Sequence, residues 1–189
     1  PTRGYGGGAM AVLKRIREGE PWQQANRAVF PDGSFGNGAA MRALPLGLYY
    51  HNDPDRLTRV ARQASEITHA HELGIEGGLV IARAAAAAAR SSNSIALLSA
   101  IAEHDLAQHF RSRLALARQW LASAEPPSLQ AVAARLGNTI LAHESAVTAV
   151  YLAARHCDRG FESLMKEVVE LGGDVDTIGA MAGAVLGVA

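Results

Sequence analysis

The chain has 189 residues with 18 basic and 18 acidic side chains, so its formal net charge is zero, and 49% of it is hydrophobic. A chain of this length buries roughly two-thirds of its unfolded surface around one core. A neutral balance without blocks of like charge excludes the electrostatic footprint of a general nucleic-acid or anionic-membrane binder, and the 37 alanines against ten aromatic residues disfavour strands, which select β-branched and aromatic side chains.

An all-α protein is therefore expected. Met10, Leu13 and Ile16, with Lys14, Arg15 and Arg17 between them, fit an amphipathic helix over 9–17 that stops at Gly19. A second short helix is expected to start at Pro21, because proline is tolerated at the first helical position. Residues 31–38, Pro-Asp-Gly-Ser-Phe-Gly-Asn-Gly, collect turn formers and read as a loop that runs into a helix. Asp53 as N-cap and Pro54 as first residue open the clearest helix, with Leu57, Val60, Ala61, Ala64, Ile67 and Thr68 on one face, ending near 71–74. Further helices are expected at about 77–90, 94–104, 106–123, 128–136, 143–156, 160–171 and 176–188. The six successive alanines between Arg83 and Arg90 need be nothing more than helix that lets neighbours approach closely. No fixed-period repeat stands out, and no apolar stretch reaches membrane-spanning length without a charge. The single cysteine, Cys157, cannot close an internal disulfide, which favours a cytoplasmic setting. The opening at Pro1 without methionine and the apolar ending 184–189 lead us to expect a longer parent protein.

Three segments carry chemistry. In Gly172-Gly173-Asp174-Val175-Asp176-Thr177, two carboxylates and a hydroxyl lie within four residues. Residues two apart on a regular helix do not face each other, so they converge on one ion only where the double glycine makes the backbone irregular. Oxygen donors without histidine or thiolate suit Mg²⁺, Mn²⁺ or Ca²⁺ better than zinc. The alternative is that Asp176 or Thr177 simply caps the last helix. Three donors leave the shell of a six-coordinate ion incomplete, and Glu72, Glu76 and Glu144 are further candidates, each otherwise a solvated or capping carboxylate. The second segment, Gly33-Ser34-Phe35-Gly36-Asn37-Gly38 leading into Ala39-Ala40-Met41-Arg42, is a glycine-rich turn before a helix, competent as a phosphate cradle. Phe30 and Phe35 flank it and can stack on a base or be ordinary core aromatics. The third, Thr68-His69-Ala70-His71, offers a histidine to a phosphate or ribose, although a helix C-terminus would explain both histidines through the dipole.

These motifs, in the order Arg3-Gly4-Tyr5-Gly6, Gly33 to Gly38 with Met41-Arg42, Thr68-His69, His143-Glu144-Ser145 with Thr148-Ala149, and Gly172-Gly173-Asp174-Val175-Asp176-Thr177, resemble the ADP-ribosylglycohydrolase family over nearly the whole chain. The resemblance implies a compact orthogonal helical bundle over 1–189, corresponding to the C-terminal two-thirds or so of the family domain. It implies a Mg²⁺-dependent (or Mn²⁺-dependent) hydrolase with two metal ions that removes ADP-ribose from protein side chains or from ADP-ribose polymers. Ser34 between Gly33 and Phe35 makes the loop look closest to the serine-directed type. The alternatives are an arginine-directed hydrolase and a non-catalytic ADP-ribose-binding or structural member. By the same likeness Asp174, Asp176 and Thr177 would be metal ligands. Gly33, Ser34, Phe35, Gly36, Asn37 and Gly38 would hold the pyrophosphate and adenosine, Phe30 would lie against the adenine, and His69 would contact the substrate. The family's catalytic glutamate and its Thr-Asp-Asp metal-binding run would lie upstream of Pro1. The expected partners are ADP-ribose and ADP-ribosylated proteins, bound by a monomer, with neither nucleic acid nor membrane.

Overall fold

The computed structural model describes residues 6–91, 93–102 and 105–189; Arg3, Gly4 and Tyr5 of the first motif lie outside them. Among the described residues the architecture is all-α, without named strands. In chain order the helices are α1 (Gly7–Arg17), α2 (Trp22–Ala25), α3 (Gly38–Met41), α4 (Leu44–Tyr49), α5 (Pro54–Glu66), α6 (Glu72–Ala88), α7 (Ser94–Ala102), α8 (Gln108–Leu121), α9 (Leu129–Arg135), α10 (Ala142–Arg155), α11 (Phe161–Leu171) and α12 (Val175–Leu186).

Helix α6 is the axis of the molecule. Every residue from Gly74 to Ala88 is buried, and α3, α4, α5, α7, α10 and α12 pack around it. The alanine run makes this possible, because side chains of one methyl let helix axes approach closely. Glycines tighten the same contacts: a Cβ on Gly77 would stand 2.7 Å from that of Ala142 on α10, and one on Gly47 would run into the Ala82 carbonyl. Larger apolar groups from the surrounding helices, among them Leu97, Ile101, Phe110, Leu114, Tyr151, Leu164 and Ile178, complete one continuous core.

Asp53 caps α5 as expected, its Oδ1 accepting from the Arg56 amide at 3.0 Å, a bond worth about 1 kcal/mol. Two boundaries differ from the sequence pattern, and both matter for the site. Helix α5 stops at Glu66, where the expected end was 71–74, and α6 begins at Glu72, where 77 was expected. His71 is the reason: its backbone is extended, and its Nδ1 accepts from the Leu73 amide at 3.1 Å, so it caps α6. His69 and His71 therefore occupy a connector, and the helix-dipole explanation for them does not hold. Pro21 likewise precedes α2 as its N-cap and is not its first residue. The short helix α4, with Pro45 in its first turn, was not anticipated.

Candidate active site

The glycine turn is tied down by main-chain bonds. The Ala142 amide donates to Phe35 O at 3.0 Å, and the Asn37 amide donates to Ile140 O at 2.9 Å, a two-bond antiparallel bridge between Gly36 and Leu141. The loop is thus stitched to the N-terminus of α10. Ser34 Oγ accepts from the Gly36 amide at 3.3 Å and stiffens the turn. At Gly33 a Cβ would collide with the backbone of His71, so glycine is required where the loop crosses the α5–α6 connector.

The C-terminal motif is placed with equal definition. Gly173 has φ +75 and lies against Asn138, leaving no room for a Cβ. The Asp174 amide then donates to Asn138 O at 2.8 Å, while Asn138 Nδ2 donates to Leu171 O at 3.1 Å. Asp174 is the N-cap residue of α12 but its side chain makes no capping bond. That side chain turns to the glycine loop: Asn37 Nδ2 donates to Asp174 Oδ2 at 2.6 Å and to Ser145 Oγ at 3.0 Å. Asp176 Oδ1 accepts from the Thr177 amide at 2.9 Å, and Thr177 is buried while Asp176 is exposed. The capping alternative holds in part: Asp176 accepts an amide of the first turn of α12, while Asp174 occupies the N-cap position without a capping bond.

The two motifs open on one cleft of about 380 Å³, within the range of small-molecule sites. Ser34, Gly36, Asn37, Gly38, His69 and Phe30 line it together with Asp174, Asp176 and Thr177. Of the residues singled out in the sequence, Gly33 and Phe35 are not part of this lining. Gly33 is the buried crossing point described above, and the Phe35 ring packs on His71 with centroids 5.2 Å apart. Phe30 is half exposed and its ring edge abuts Gly8, where a Cβ would be 2.9 Å away.

The lining also includes residues that the sequence did not single out. Gly7, Gly8 and Ala9 bring the N-terminal end of α1 to the cleft, with no side chain capping it, so a partial positive charge faces the lumen. Asn26 stands beside them, its Nδ2 donating to Glu66 O at 2.7 Å. Gly6, Val12 and Ile140 complete the wall, together with Met41 and Thr68 from two of the sequence motifs. The cue for α1 was its uncapped glycine start; Asn26 offered none.

His69 is buried, with its Nδ1 2.8 Å from Thr68 Oγ1. Burial pushes its imidazole down to about 4, with the nearby Arg42 guanidinium adding to the effect, so it is neutral at physiological pH.

The three glutamates have structural employment elsewhere. Both Glu76 oxygens accept from the Ala107 amide, at 3.0 and 2.9 Å, at the start of α8, and burial raises its carboxyl. Glu72 is paired with Arg62 at 2.7 and 3.1 Å, whose hydrogen bonds lower its carboxyl. Glu144 accepts from Thr139 Oγ1 at 2.6 Å. None lines the cleft. Among the described residues no group of three or more His, Cys, Asp or Glu is arranged to hold a metal; the carboxylates that line the cleft are Asp174 and Asp176, with Thr177 beside them. Their chemistry fits a hard divalent cation, and Asp174 retains Oδ1 for it after giving Oδ2 to Asn37.

The chain is similar to several known proteins. The sequence model of the ADP-ribosylglycohydrolase family matches residues 1–189. "ADP-ribosylhydrolase ARH3" of Homo sapiens is 32% identical, over 99% of this chain and 60% of its own length, and the Mus musculus protein of the same name is 31% identical, over 99% and 58%. "Uncharacterized protein YegU" of Escherichia coli is 31% identical over 93% of this chain and 55% of its own length. A solved structure named "ADP-ribosylglycohydrolase-related protein complex" superposes with a TM-score of 0.70 at 31% identity, covering 97% of this chain and 58% of that one. The chain thus spans about three-fifths of the length of the curated relatives it matches. Among the described residues, no helix is long and apolar enough to cross a membrane.

Proposed function

The chain belongs to the ADP-ribosylglycohydrolase family, and from that premise we propose that it forms the ligand-gripping wall of a hydrolase that releases ADP-ribose from modified protein side chains or from ADP-ribose polymers. The observation that carries this reading is the 2.6 Å bond from Asn37 to Asp174, which joins a diphosphate cradle to a carboxylate cluster in one cleft.

In this reading the glycine turn, through the Gly38 amide, and the positive end of α1 hold the diphosphate. Phe30 lies against the adenine, and His69 donates a hydrogen bond to phosphate or ribose. Asp174, Asp176 and Thr177 hold a divalent cation, Mg²⁺ or Mn²⁺, as half of a two-ion site. That cation would orient the distal ribose hydroxyls and a water molecule and stabilise the charge that develops as the C1″ bond breaks. Asn37 aims the Asp174 carboxylate by donating to one of its oxygens. The remaining ligands and the acidic catalytic group would come from the parent protein beyond these 189 residues, in line with the greater length of the relatives. The likeness of the Ser34 loop to the serine-directed type of the family favours serine-linked substrates over arginine-linked ones. Burial raises the Cys157 thiol, which keeps it unreactive and suits a reducing cytoplasm.

A second reading, a binding module without turnover, is favoured by one observation: the described residues supply only two carboxylates to the cleft. Calorimetry with ADP-ribose, with and without Mg²⁺, followed by turnover assays on serine-linked and arginine-linked ADP-ribosyl peptides with the full-length parent protein, separates the two. Metal-dependent binding and release from serine supports the hydrolase. Binding without release supports the module, and absence of binding removes both.

A further inference from the structure

We propose that Arg42 is a positioning residue that acts through Thr68 to hold His69 as a fixed hydrogen-bond donor facing the cleft. The nature of the ligand that receives this bond rests on the reading above; the protonation pattern itself does not.

The guanidinium of Arg42 is locked at the end of α3. Its Nη1 donates to Gly38 O at 3.2 Å, and its Nη2 donates to Ala64 O at 2.9 Å and to Thr68 Oγ1 at 2.6 Å. Arginine has donors only and stays charged, so Thr68 Oγ1 must act as acceptor toward it. The hydroxyl keeps one proton to give. Thr68 is 8% exposed, and a buried hydroxyl proton needs an acceptor. Among the described residues the only other partner of Thr68 Oγ1 is His69 Nδ1, at 2.8 Å.

The proton of Thr68 therefore goes to Nδ1. Nδ1 carries the lone pair, and the imidazole proton sits on Nε2. The ring orientation gives this a consequence. A Cβ on Gly38 would lie 3.0 Å from His69 Cε1 and 3.1 Å from Nε2, and one on Gly36 would lie 3.8 Å from Nε2. The Nε2 edge thus faces the glycine turn and the cleft. A donor there matches an anionic oxygen, while a lone pair would repel it. His69 is consequently a donor to the bound diphosphate or ribose and not a general base, since the nitrogen facing the ligand is already protonated.

The chain Arg42, Thr68, His69 also explains why Met41-Arg42 follows the cradle directly. The residue that fixes the histidine follows directly on the short helix that the cradle opens.

The test is long-range ¹H–¹⁵N NMR of histidine-labelled protein without ligand, which reads the two ring nitrogens separately. Wild type should show His69 Nδ1 unprotonated and Nε2 protonated. Thr68→Val removes the hydroxyl at constant shape and should produce a mixture of tautomers, and ADP-ribose affinity should fall roughly tenfold, about the worth of one hydrogen bond to a charged group. Thr68→Ser restores the hydroxyl and should restore both readouts. Arg42→Met, checked for folding by its amide spectrum, should release the tautomer as Thr68→Val does. A wild-type His69 protonated on Nδ1, or a Thr68→Val protein with an unchanged tautomer, would overturn the proposal. If ADP-ribose fails to bind wild type while the tautomer is as stated, the functional reading fails and the positioning inference stands.

Discussion

Asn37 and Asp174 are 137 positions apart in sequence and joined by a 2.6 Å hydrogen bond from the amide to the carboxylate. The same amide nitrogen reaches Ser145 Oγ at 3.0 Å, so one buried side chain links the glycine turn, α10 and the start of α12. Asn37→Ala should leave the Ser145 hydroxyl and the Asp174 carboxylate without this donor, costing about 1–3 kcal/mol in chemical denaturation. Asn37→Asp should be worse for ligand binding, because two carboxylates would then share one hydrogen-bonding distance and one must take up a proton. Calorimetry should show metal-dependent ADP-ribose binding reduced more than tenfold in Asn37→Asp, and equal binding in that variant and wild type would remove the bond from the account.

Gly173 and Gly172 both have positive φ, +75 and +70, but only Gly173 faces a neighbour. Alanine at either position meets backbone strain of roughly 1–3 kcal/mol. At Gly173 it must also displace Asn138 and, with it, the 2.8 Å bond to the Asp174 amide. Thermal unfolding should therefore rank Gly173→Ala below Gly172→Ala, and only Gly173→Ala should abolish the effect of Mg²⁺ on ligand binding. Equal effects of the two substitutions would mean that Asn138 does not hold the turn.

The pH dependence of stability follows from His69. Its folded value of about 4 lies below its ordinary 6.5, so between these two values the unfolded chain takes up a proton that the folded chain refuses. Stability from this source is complete above about 6.5 and is lost as the pH falls toward 4. His143, lowered chiefly by burial and secondarily by Arg113, acts in the same direction. Urea denaturation at a series of pH values should give a slope that flattens in His69→Gln. A stability that increased on acidification through this window would contradict the burial of a neutral His69.

Much of the helical frame was legible because it rests on local rules: the Asp53-Pro54 start, the glycine stops and the 3.6-residue pattern of α1 and α5. The boundary between α5 and α6 was not, because histidine is an uncommon N-cap and His71 becomes one only through its extended backbone. The site was legible as two motifs and not as one cleft, since the contact between Asn37 and Asp174 is tertiary. Asn26 and the start of α1 entered the wall through chain folding alone, and Phe35, left open between base stacking and core packing, lies outside the cleft lining with its ring against His71. Glu76 was a metal candidate by residue type only; in the fold its carboxylate serves the α8 terminus.

Glu76 supplies a prediction of its own. Glu76→Ala leaves the Ala107 amide without its acceptor and should cost about 1–3 kcal/mol of stability, while Mg²⁺ and ADP-ribose affinities stay at the wild-type level. Loss of metal affinity in a folded Glu76→Ala protein would place this carboxylate in the site after all.

The most direct test of the central claim is amide NMR of the chain titrated with ADP-ribose in the presence of Mg²⁺. The amides of Gly36, Asn37 and Gly38 and those of Val175, Asp176 and Thr177 should shift together along one saturation curve. Shifts confined to one of the two segments, or centred on a distant surface such as α11, would contradict a single cleft that grips a diphosphate at one end and a cation at the other.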